Sequence, residues 1–260
     1  MTLTSSEIAV WLGLWFWPFV RIGACLIAAP VFGARILPHR FRLVAALLLT
    51  VAVAPLLPEQ TTGAGAAWPI WLLREMAVGF VLGFALRVAF TAVELAGQMI
   101  GSQMGLGFAA LVDPENGVSV PVLSQFYTLI ALLLFLAFDG HHVLISLVAE
   151  SFRLAPVGGA MLPAESFAEL PRYGSLLFAG AFSISLPALT ALMLINLAIG
   201  VMTRAAPSLN LFSVGFPGAL LAGQFVLLLT LPMLAWQVEG LSMQSFEFLG
   251  QWLAGVSDGR

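Results

Sequence analysis

The sequence predicts an all-α protein of the integral-membrane type, with about six long hydrophobic helices and one non-helical apolar loop. First, 60% of its 260 residues are hydrophobic and only 9% are charged, with a mean hydropathy of +1.02, whereas soluble domains carry about 25% charged residues. Second, the apolar residues gather into six segments, each near or above the roughly 17 to 25 residues that a spanning helix needs. Third, the connectors are short and rich in Pro, Gly and charge, so residues 1–260 are expected to form a single helical unit.

Several classes of protein are excluded at once. The positive charge is carried by ten Arg and no Lys, so the polybasic patch of a nucleic-acid-binding protein is absent. A single cysteine, Cys25, excludes an internal disulfide and a Cys-based metal site. The N-terminal segment carries Glu7 and lacks a basic region and a small-residue cleavage site. It is therefore expected to be retained rather than removed as a signal peptide.

The first two segments, Ile8–Val31 and Phe41–Leu57, are apolar runs of helical length. The connectors "GARILPHR" and "PEQTTGAGAAWP" end them. The third segment, Pro69–Ile100, extends toward Met104 with no proline after Pro69. One helix of that length would measure roughly 50 Å, against a hydrocarbon core of about 30 Å, so a simple span does not fit.

One face of the third helix is predicted to be small and polar. Its residues follow one another at intervals of three or four: Glu75, Gly79, Gly83, Arg87, Thr91, Glu94, Gln98, Gly101 and Gly105. Small residues at i and i+4, including Gly97 with Gly101, let a neighbouring backbone come close. Arg87 and Glu94 are too costly to face lipid. We therefore expect protein or a water-filled lumen to cover this face.

The remaining helical segments are Val122–Phe138, Gly174–Met202 and Leu209–Val238. The tract between His141 and Arg172, which holds several Pro and Gly, predicts one short helix followed by a loop. Prolines inside the last two segments, Pro187, Pro217 and Pro232, are expected to break or kink their helices. Residues 241–260 mix aromatic side chains with Gln and Glu, as in an amphipathic interfacial or partner-facing tail.

Within the stretch "GSQMGLGFAALVDPENGVSVP", Gly105, Gly107 and Ala110 match the dinucleotide fingerprint G-x-G-x-x-G/A. That fingerprint needs a preceding strand, a following helix and an acidic residue about twenty positions later. The sequence predicts none of these, and the run 113–117 is turn chemistry where the helix should continue. A nucleotide site is therefore disfavoured.

Other chemistry is equally poorly supported. His141 and His142 are adjacent, unlike metal ligands four apart on one helix face, and Asp139 adds no recognised spacing. A pair at a loop end near the membrane surface is favoured over a metal site. No G-x-S-x-G elbow occurs, so we predict no catalytic residue, no cofactor, no metal and no enzyme activity. Glu75, Arg87 and Glu94 permit either an ion relay or structural pairing with partner chains.

The loop itself is an apolar, glycine-bearing excursion that starts at Met104, turns at Asp113 and Pro114, and ends at Pro121. Non-helical backbone at membrane depth persists only where protein buries it or where it lines a cavity. Met and Phe fill irregular gaps, and glycines allow rearrangement. These properties suit a seal that opens when something passes.

Three stretches carry a family resemblance: "RIGACLIAAPVFGARILPHRFR", "REMAVGFVLGFALRVAFTAVELAGQMIGSQMGLGFAALVDPENGVSVPVLSQFYTLIALLLFLAFDGHHVLI" and "TRAAPSLNLFSVGFPGALLAGQ". They resemble the FliR family, a component of the flagellar type III export gate. The resemblance covers about Arg21 to Gln224, and the part from Gln103 to Tyr127 is the most specific.

The resemblance implies one copy of the chain in a complex with FliP and FliQ, in contact with FlhB, in the bacterial inner membrane at the flagellar basal body. It implies passage of unfolded flagellar proteins through a shared pore. Residues 1–173 would be FliP-like, with a plug loop at about 105–120, and residues 174–240 would be a FliQ-like hairpin. Residues 241–260 would be the tail.

Two residue sets follow from the resemblance together with the sequence pattern. The plug or gating loop comprises Met104, Gly105, Leu106, Gly107, Phe108, Asp113, Pro114 and Gly117, with Leu106 and Phe108 forming the seal. The helix-packing and assembly set comprises Gly79, Gly83, Arg87, Glu94, Gly97, Gly101, Arg204, Asn210 and Pro217. The alternative is a secondary transporter that uses Glu94 and Arg87, although the inverted repeat common in such folds is not apparent.

Overall fold

The computed structural model describes residues 5–30, 38–57, 68–106, 121–159, 162–205 and 215–258. Within these ranges all regular structure is helical, as predicted. The helices are α1 Ser5–Ala28, α2 His39–Val53, α3 Trp68–Gln103, α4 Val122–Ala137, α5 Gly140–Leu154, α6 Ala164–Ala205 and α7 Phe216–Asp258, with a short 3₁₀ turn at Ala54–Leu56.

The predicted apolar segments all contain helices, and the overlong third segment is confirmed as one unbroken helix. Its 36 residues correspond to a length of about 54 Å. The helix has no proline after Pro69, which lies in its first turn, where a missing N–H costs nothing. The short helix expected after His141 is also present, as α5.

The last two helices are longer than hydropathy indicates. The expected loop up to Arg172 is shorter, because α6 already starts at Ala164 and continues through Pro171 and Pro187. The expected end near residue 240 does not occur, because α7 runs through Pro232 to Asp258. Of the two predicted effects, a break or a kink, the break does not occur at Pro187 or Pro232.

Pro187 shows how a helix tolerates an internal proline. Because Pro187 has no N–H, the carbonyl of Ser183, four residues earlier, loses its helical donor. The side-chain amide of Gln237 in α7 donates to that carbonyl oxygen at 3.3 Å. Neighbouring helices are expected to satisfy freed backbone groups in this way. Pro217 needs no such help, because it lies in the first turn of α7.

The chain divides into two compact units. The first contains Met1–Val88, Asp139–Gly174 and Ser242–Arg260. Here the end of α7 packs inside the unit, since the Trp252 indole donates to the Ser166 carbonyl at 2.9 Å and Trp252 is 1% exposed. Residues 242–258 thus bury one face, which includes Trp252 and Leu253, while Met243 and Gln251 are exposed. The segment is amphipathic, and its role as an interfacial or partner-facing tail stays a prediction.

The second unit contains Ala89–Phe138 and Ser175–Leu241. The second half of α3 packs on α4 through an edge-to-face contact of Phe90 with Phe135, with ring centroids 5.5 Å apart. Contacts of this geometry add to the stability that apolar burial supplies.

Among the described residues, three helices are long and apolar enough to cross a membrane: α3, α6 from Glu165, and α7 to Ser257. A fourth span results if the bent pair α4 and α5 is counted as one. In α3, 67% of the most apolar window is buried, against 22% in α6 and 17% in α7. α3 is therefore the most buried of the three, while most residues in the apolar windows of α6 and α7 are not buried.

Candidate functional site

The end of α3 marks where the predicted plug loop begins. Gly105 adopts φ 83°, the left-handed conformation that commonly terminates helices, and its N–H donates to the Ser102 carbonyl at 3.0 Å. Leu106 is 40% exposed. The other predicted loop residues, Gly107, Phe108, Asp113, Pro114 and Gly117, lie outside the described residues, as does Asn210 of the assembly set.

Met104, the residue after α3, packs on α7. It is 3% exposed, and its methyl carbon lies where a Cβ at Gly223 would approach within 2.5 Å. The glycine therefore leaves a notch that the thioether fills. Asn196 of α6 donates its side-chain amide to the Gln103 carbonyl at 3.3 Å, which fixes the last turn of α3 in the same unit.

The glycines of the small, polar face make close contacts within the chain. A Cβ at Gly79 would overlap the Arg21 carbonyl oxygen of α1, and one at Gly83 would overlap that of Cys25. A Cβ at Gly97 would lie 2.9 Å from the Ser124 Cα of α4. At Gly101 the nearest atom is 3.5 Å away, an ordinary contact. Three of the four glycines thus bring neighbouring backbones close, as small residues permit.

The charged residues of that face do not share one environment. Glu75 is fully buried, whereas Arg87 and Glu94 are exposed. Arg204, at the end of α6, and Pro217, at the start of α7, are also exposed. Their participation in contacts with other chains stays a prediction, and exposure is compatible with it.

A buried arginine cluster, formed by Arg21, Arg74, Glu75 and Ser151, occupies the interior of the first unit. The Arg21 Nε donates to Glu75 Oε2 at 2.7 Å, and the Arg74 Nη1 lies 3.4 Å from Glu75 Oε1. The Arg21 and Glu75 side chains are both 0% exposed. A charge pair removed from water in this way is tolerated only when geometry and further hydrogen bonds are favourable.

Arg21 satisfies all three of its nitrogens inside the unit. Besides Glu75, Nη1 donates to Ser151 Oγ at 3.0 Å and Nη2 donates to the Ala155 carbonyl at 2.7 Å. The guanidinium also lies 4.0 Å from the ring centroid of Phe152, a favourable cation–π contact. One side chain of α1 thus joins α3 to α5 and the residue that follows α5.

Sequence periodicity does not single out Arg21 or Arg74. The available signal is the rule that a charge inside an apolar helix requires a partner. Glu75 is such a charge, and Arg21 is the arginine of the first apolar segment. Which arginine pairs with which acid depends on helix packing, so periodicity alone does not supply it.

A second polar group lies at the turn before α5. Asp139, His141 and His142 each offer one ligand atom within 4.8 Å of the other two. Adjacent histidines cannot lie on one helix face as metal ligands four residues apart do. The group arises instead because Asp139 precedes the helix in a left-handed conformation, with φ 57°.

The second unit displays large apolar side chains on α6 and α7. The most exposed, at 64% to 80% exposure, include Met193, Leu194, Leu197, Leu221, Leu228 and Trp236. Soluble monomers rarely expose contiguous apolar patches beyond a few hundred Å². Lipid or other protein chains must therefore cover these helices.

These features define an all-α integral membrane protein with buried ion pairs in its interior and exposed apolar side chains on α6 and α7. Residues 12–245 match the family model described as bacterial export proteins, family 1. The chain is 39% identical over 250 residues to the flagellar biosynthetic protein FliR of Escherichia coli (strain K12), covering 96% of each chain.

Similar relatives occur in other bacteria. The protein of the same name from Pectobacterium carotovorum subsp. carotovorum is 40% identical over 258 residues, covering 99% of each chain. That of Bacillus subtilis (strain 168) is 30% identical over 245 residues, covering 92% of this chain and 95% of the relative. The chain belongs to the FliR family of bacterial export proteins, which confirms the resemblance of its sequence motifs.

Proposed function

We propose that the chain is a structural and gating subunit of the flagellar type III protein export gate. In this proposal it forms, with FliP and FliQ, the pore through which unfolded flagellar proteins are exported. One copy enters each complex, contacts FlhB and resides in the inner membrane at the flagellar basal body. The chain has no catalytic activity of its own, and other components supply the energy.

One observation carries the proposal: relatives named flagellar biosynthetic protein FliR match nearly the whole chain, from 96% to 99% of it at 39% to 40% identity. Such coverage leaves little of this chain outside the shared architecture. Function is still argued from sites rather than from fold alone, and two sites of the chain support it.

The first supporting site is the exposed apolar surface of α6 and α7. Leu228 is 70% exposed and Trp236 is 80% exposed, in the part of the chain expected to be FliQ-like. Aromatic anchors and aliphatic side chains are the residues that carry stable protein interfaces. We assign this surface to contacts with FliP and FliQ.

The second supporting site is the start of the loop. Met104 is buried against α7, whereas Leu106, two residues later, is 40% exposed. A seal needs a fixed base and an apolar tip free to meet its counterparts. We assign the closing contact to Leu106 and Phe108 and the fixed base to Met104.

The test of assembly is the mass of the native particle extracted in detergent with one tagged copy of this chain, from cells that express FliP and FliQ. A large hetero-complex with one copy of the chain among several smaller membrane subunits is the expected result. A homogeneous particle of the chain alone, with the partners present in the cell, would overturn the proposal.

The test of gating is deletion of Leu106–Ala110. We expect the assembled complex to leak ions or small solutes across the membrane, because the apolar tip of the loop is removed. Deletion of Thr61–Gly65, an equal length in another connector, is the matched control and should not leak. Unchanged permeability in an assembled Leu106–Ala110 deletion would refute the seal.

The alternative function, a secondary transporter with a charge site on α3, is less well supported. Its acidic and basic groups are not gathered: Glu75 is held by Arg21, and Arg87 stands about 18 Å further along the helix axis. Glu94 is exposed. A particle containing this chain alone would favour the transporter and direct attention to Glu94.

A further inference from the structure

The turn between α4 and α5 brings three metal-ligating side chains to one place. α4 ends at Ala137, Asp139 takes φ 57°, and α5 starts at Gly140. The Asp139 carbonyl accepts the N–H of His142 at 2.9 Å and that of Val143 at 3.2 Å. The first turn of α5 therefore lies directly over Asp139 and sets both histidines beside its carboxylate.

The three side chains already lie close enough together to act as ligands of one ion. The Asp139 Oδ1 lies 3.0 Å from the His142 Nδ1. The two imidazole rings have centroids 4.0 Å apart at an interplanar angle of 38°. One ligand atom from each residue lies within 4.8 Å of the others. Ligand atoms at about 2.0–2.2 Å from a zinc ion stand about 3–4 Å from one another. Rotation of these side chains therefore suffices to bring the three ligand atoms around one ion.

One nitrogen of His141 is buried, whereas the Asp139 and His142 side chains are exposed, and this combination suits an open metal site. The His141 Nδ1 is buried and has no hydrogen-bond partner among the described residues, and such a nitrogen is costly until a donor or an ion pairs with it. The Asp139 and His142 side chains are 73% and 69% exposed. An ion therefore has an open approach and keeps room for water ligands.

We infer that Asp139, His141 and His142 form a binding site for a divalent first-row transition-metal ion such as Zn²⁺. Imidazole nitrogen with carboxylate oxygen suits Zn²⁺, Ni²⁺ or Cu²⁺, whereas Mg²⁺ and Ca²⁺ prefer oxygen ligands throughout. The inference rests on these side chains alone and stands whether or not the proposed export function is correct.

The local electrostatics set the character of the site. The N-terminus of α5 carries partial positive charge, which opposes a cation, and the Asp139 carboxylate offsets it. Three protein ligands and an open coordination position give an exchangeable ion rather than a closed structural site. Bound metal would clamp the turn, because its ligands come from both sides of the α5 start.

The test uses the full-length chain in detergent, purified with a tag that contains no histidine, and titrated with Zn²⁺ by calorimetry. We expect one saturable ion per chain. His142→Ala and Asp139→Asn should each weaken binding by about 10- to 100-fold, at least what loss of an outer-shell partner costs. Asn tolerates the left-handed conformation and His142 is largely exposed, so neither variant is expected to disturb folding.

His39, the third histidine of the chain, is exposed and serves as the matched control. His39→Ala should leave Zn²⁺ affinity unchanged. With Cu²⁺ as probe, electron paramagnetic resonance should show coupling to two imidazole nitrogens in the wild type and to one in His142→Ala. Absence of saturable Zn²⁺ binding, equal losses in all three variants, or nitrogen coupling unchanged in His142→Ala would each overturn the site.

Discussion

Glu75→Gln isolates the contribution of the buried arginine cluster. The change keeps the size of the side chain and removes its negative charge. Glu75 receives the Arg21 Nε at 2.7 Å and lies 3.4 Å from the Arg74 Nη1. A carboxamide has one acceptor oxygen and an amino group that cannot accept from a guanidinium. Two buried arginines would then remain without their counter-charge.

The magnitude follows from the full burial of the pair. Breaking a buried ion pair by removing one partner costs about 3–5 kcal/mol, because the remaining charge stays desolvated. The Glu75 and Arg21 side chains are 0% exposed, so water cannot replace the lost partner without local opening. For a chain of this size, each kcal/mol shifts the melting temperature by about 2–4 °C. The expected fall in melting temperature is therefore about 6–20 °C.

The assay is thermal unfolding of the full-length chain in detergent, followed by tryptophan fluorescence. Trp17 and Trp71 report on the first unit, since their rings meet edge-to-face at 6.1 Å. The matched control is Glu94→Gln, the same substitution on the same helix at an exposed position, which should melt within about 2 °C of the wild type. If Glu75→Gln melts together with that control, the cluster does not stabilise the fold.

Two further predictions concern helix contacts. Gly79→Ala should destabilise by about 1–3 kcal/mol, because its Cβ meets the Arg21 carbonyl of α1. At Gly174, a helical glycine, an added Cβ would meet nothing within 4 Å, so Gly174→Ala should instead stabilise the fold by about 0.5–1 kcal/mol. If both variants changed the melting temperature in the same direction, the close approach of α1 to α3 would be contradicted. Gln237→Leu should cost about 1 kcal/mol, because it leaves the Ser183 carbonyl without its donor opposite Pro187. The same melting experiment on Gln251→Leu, at an exposed position of α7, should show no loss of stability. If Gln237→Leu and Gln251→Leu melted at the same temperature, the idea that Gln237 compensates for the N–H missing at Pro187 would be refuted.

Local physical rules allowed much of the fold to be predicted. The length and apolarity of each segment predicted the helices, and the absence of proline after Pro69 predicted the unbroken α3. The ends of α6 and α7 escaped prediction for a tertiary reason. Composition treats Pro171 as part of a loop and the residues after 240 as a separate tail. In the structure both helices continue, and the Trp252 indole of α7 donates to the Ser166 carbonyl of α6.

The small, polar face of α3 shows the limit of periodicity. Spacing predicts that Glu75, Arg87 and Glu94 share one face, and small-residue rules indicate where a backbone can approach. Neither states which turn faces another helix of the same chain. Arg21 of α1 and Ser151 of α5 lie 54 and 76 positions from Glu75 in sequence, so only the packed fold reveals that Glu75 is enclosed while Glu94 is exposed.

The buried arginine cluster of the first unit and the exposed apolar side chains of the second unit depend differently on partner chains, and this difference bears on assembly. In the first unit, Arg21 finds all its partners within the chain, so the buried arginine cluster needs no other subunit to be satisfied. In the second, Leu228 and Trp236 remain largely exposed, so their burial depends on lipid or on other chains. Partner subunits should therefore raise the stability of the second unit by covering apolar area, at about 25 cal/mol per Å², while the penalty of Glu75→Gln should persist in the assembled complex. A penalty that disappeared on assembly would mean that a partner, rather than the chain itself, compensates these arginines.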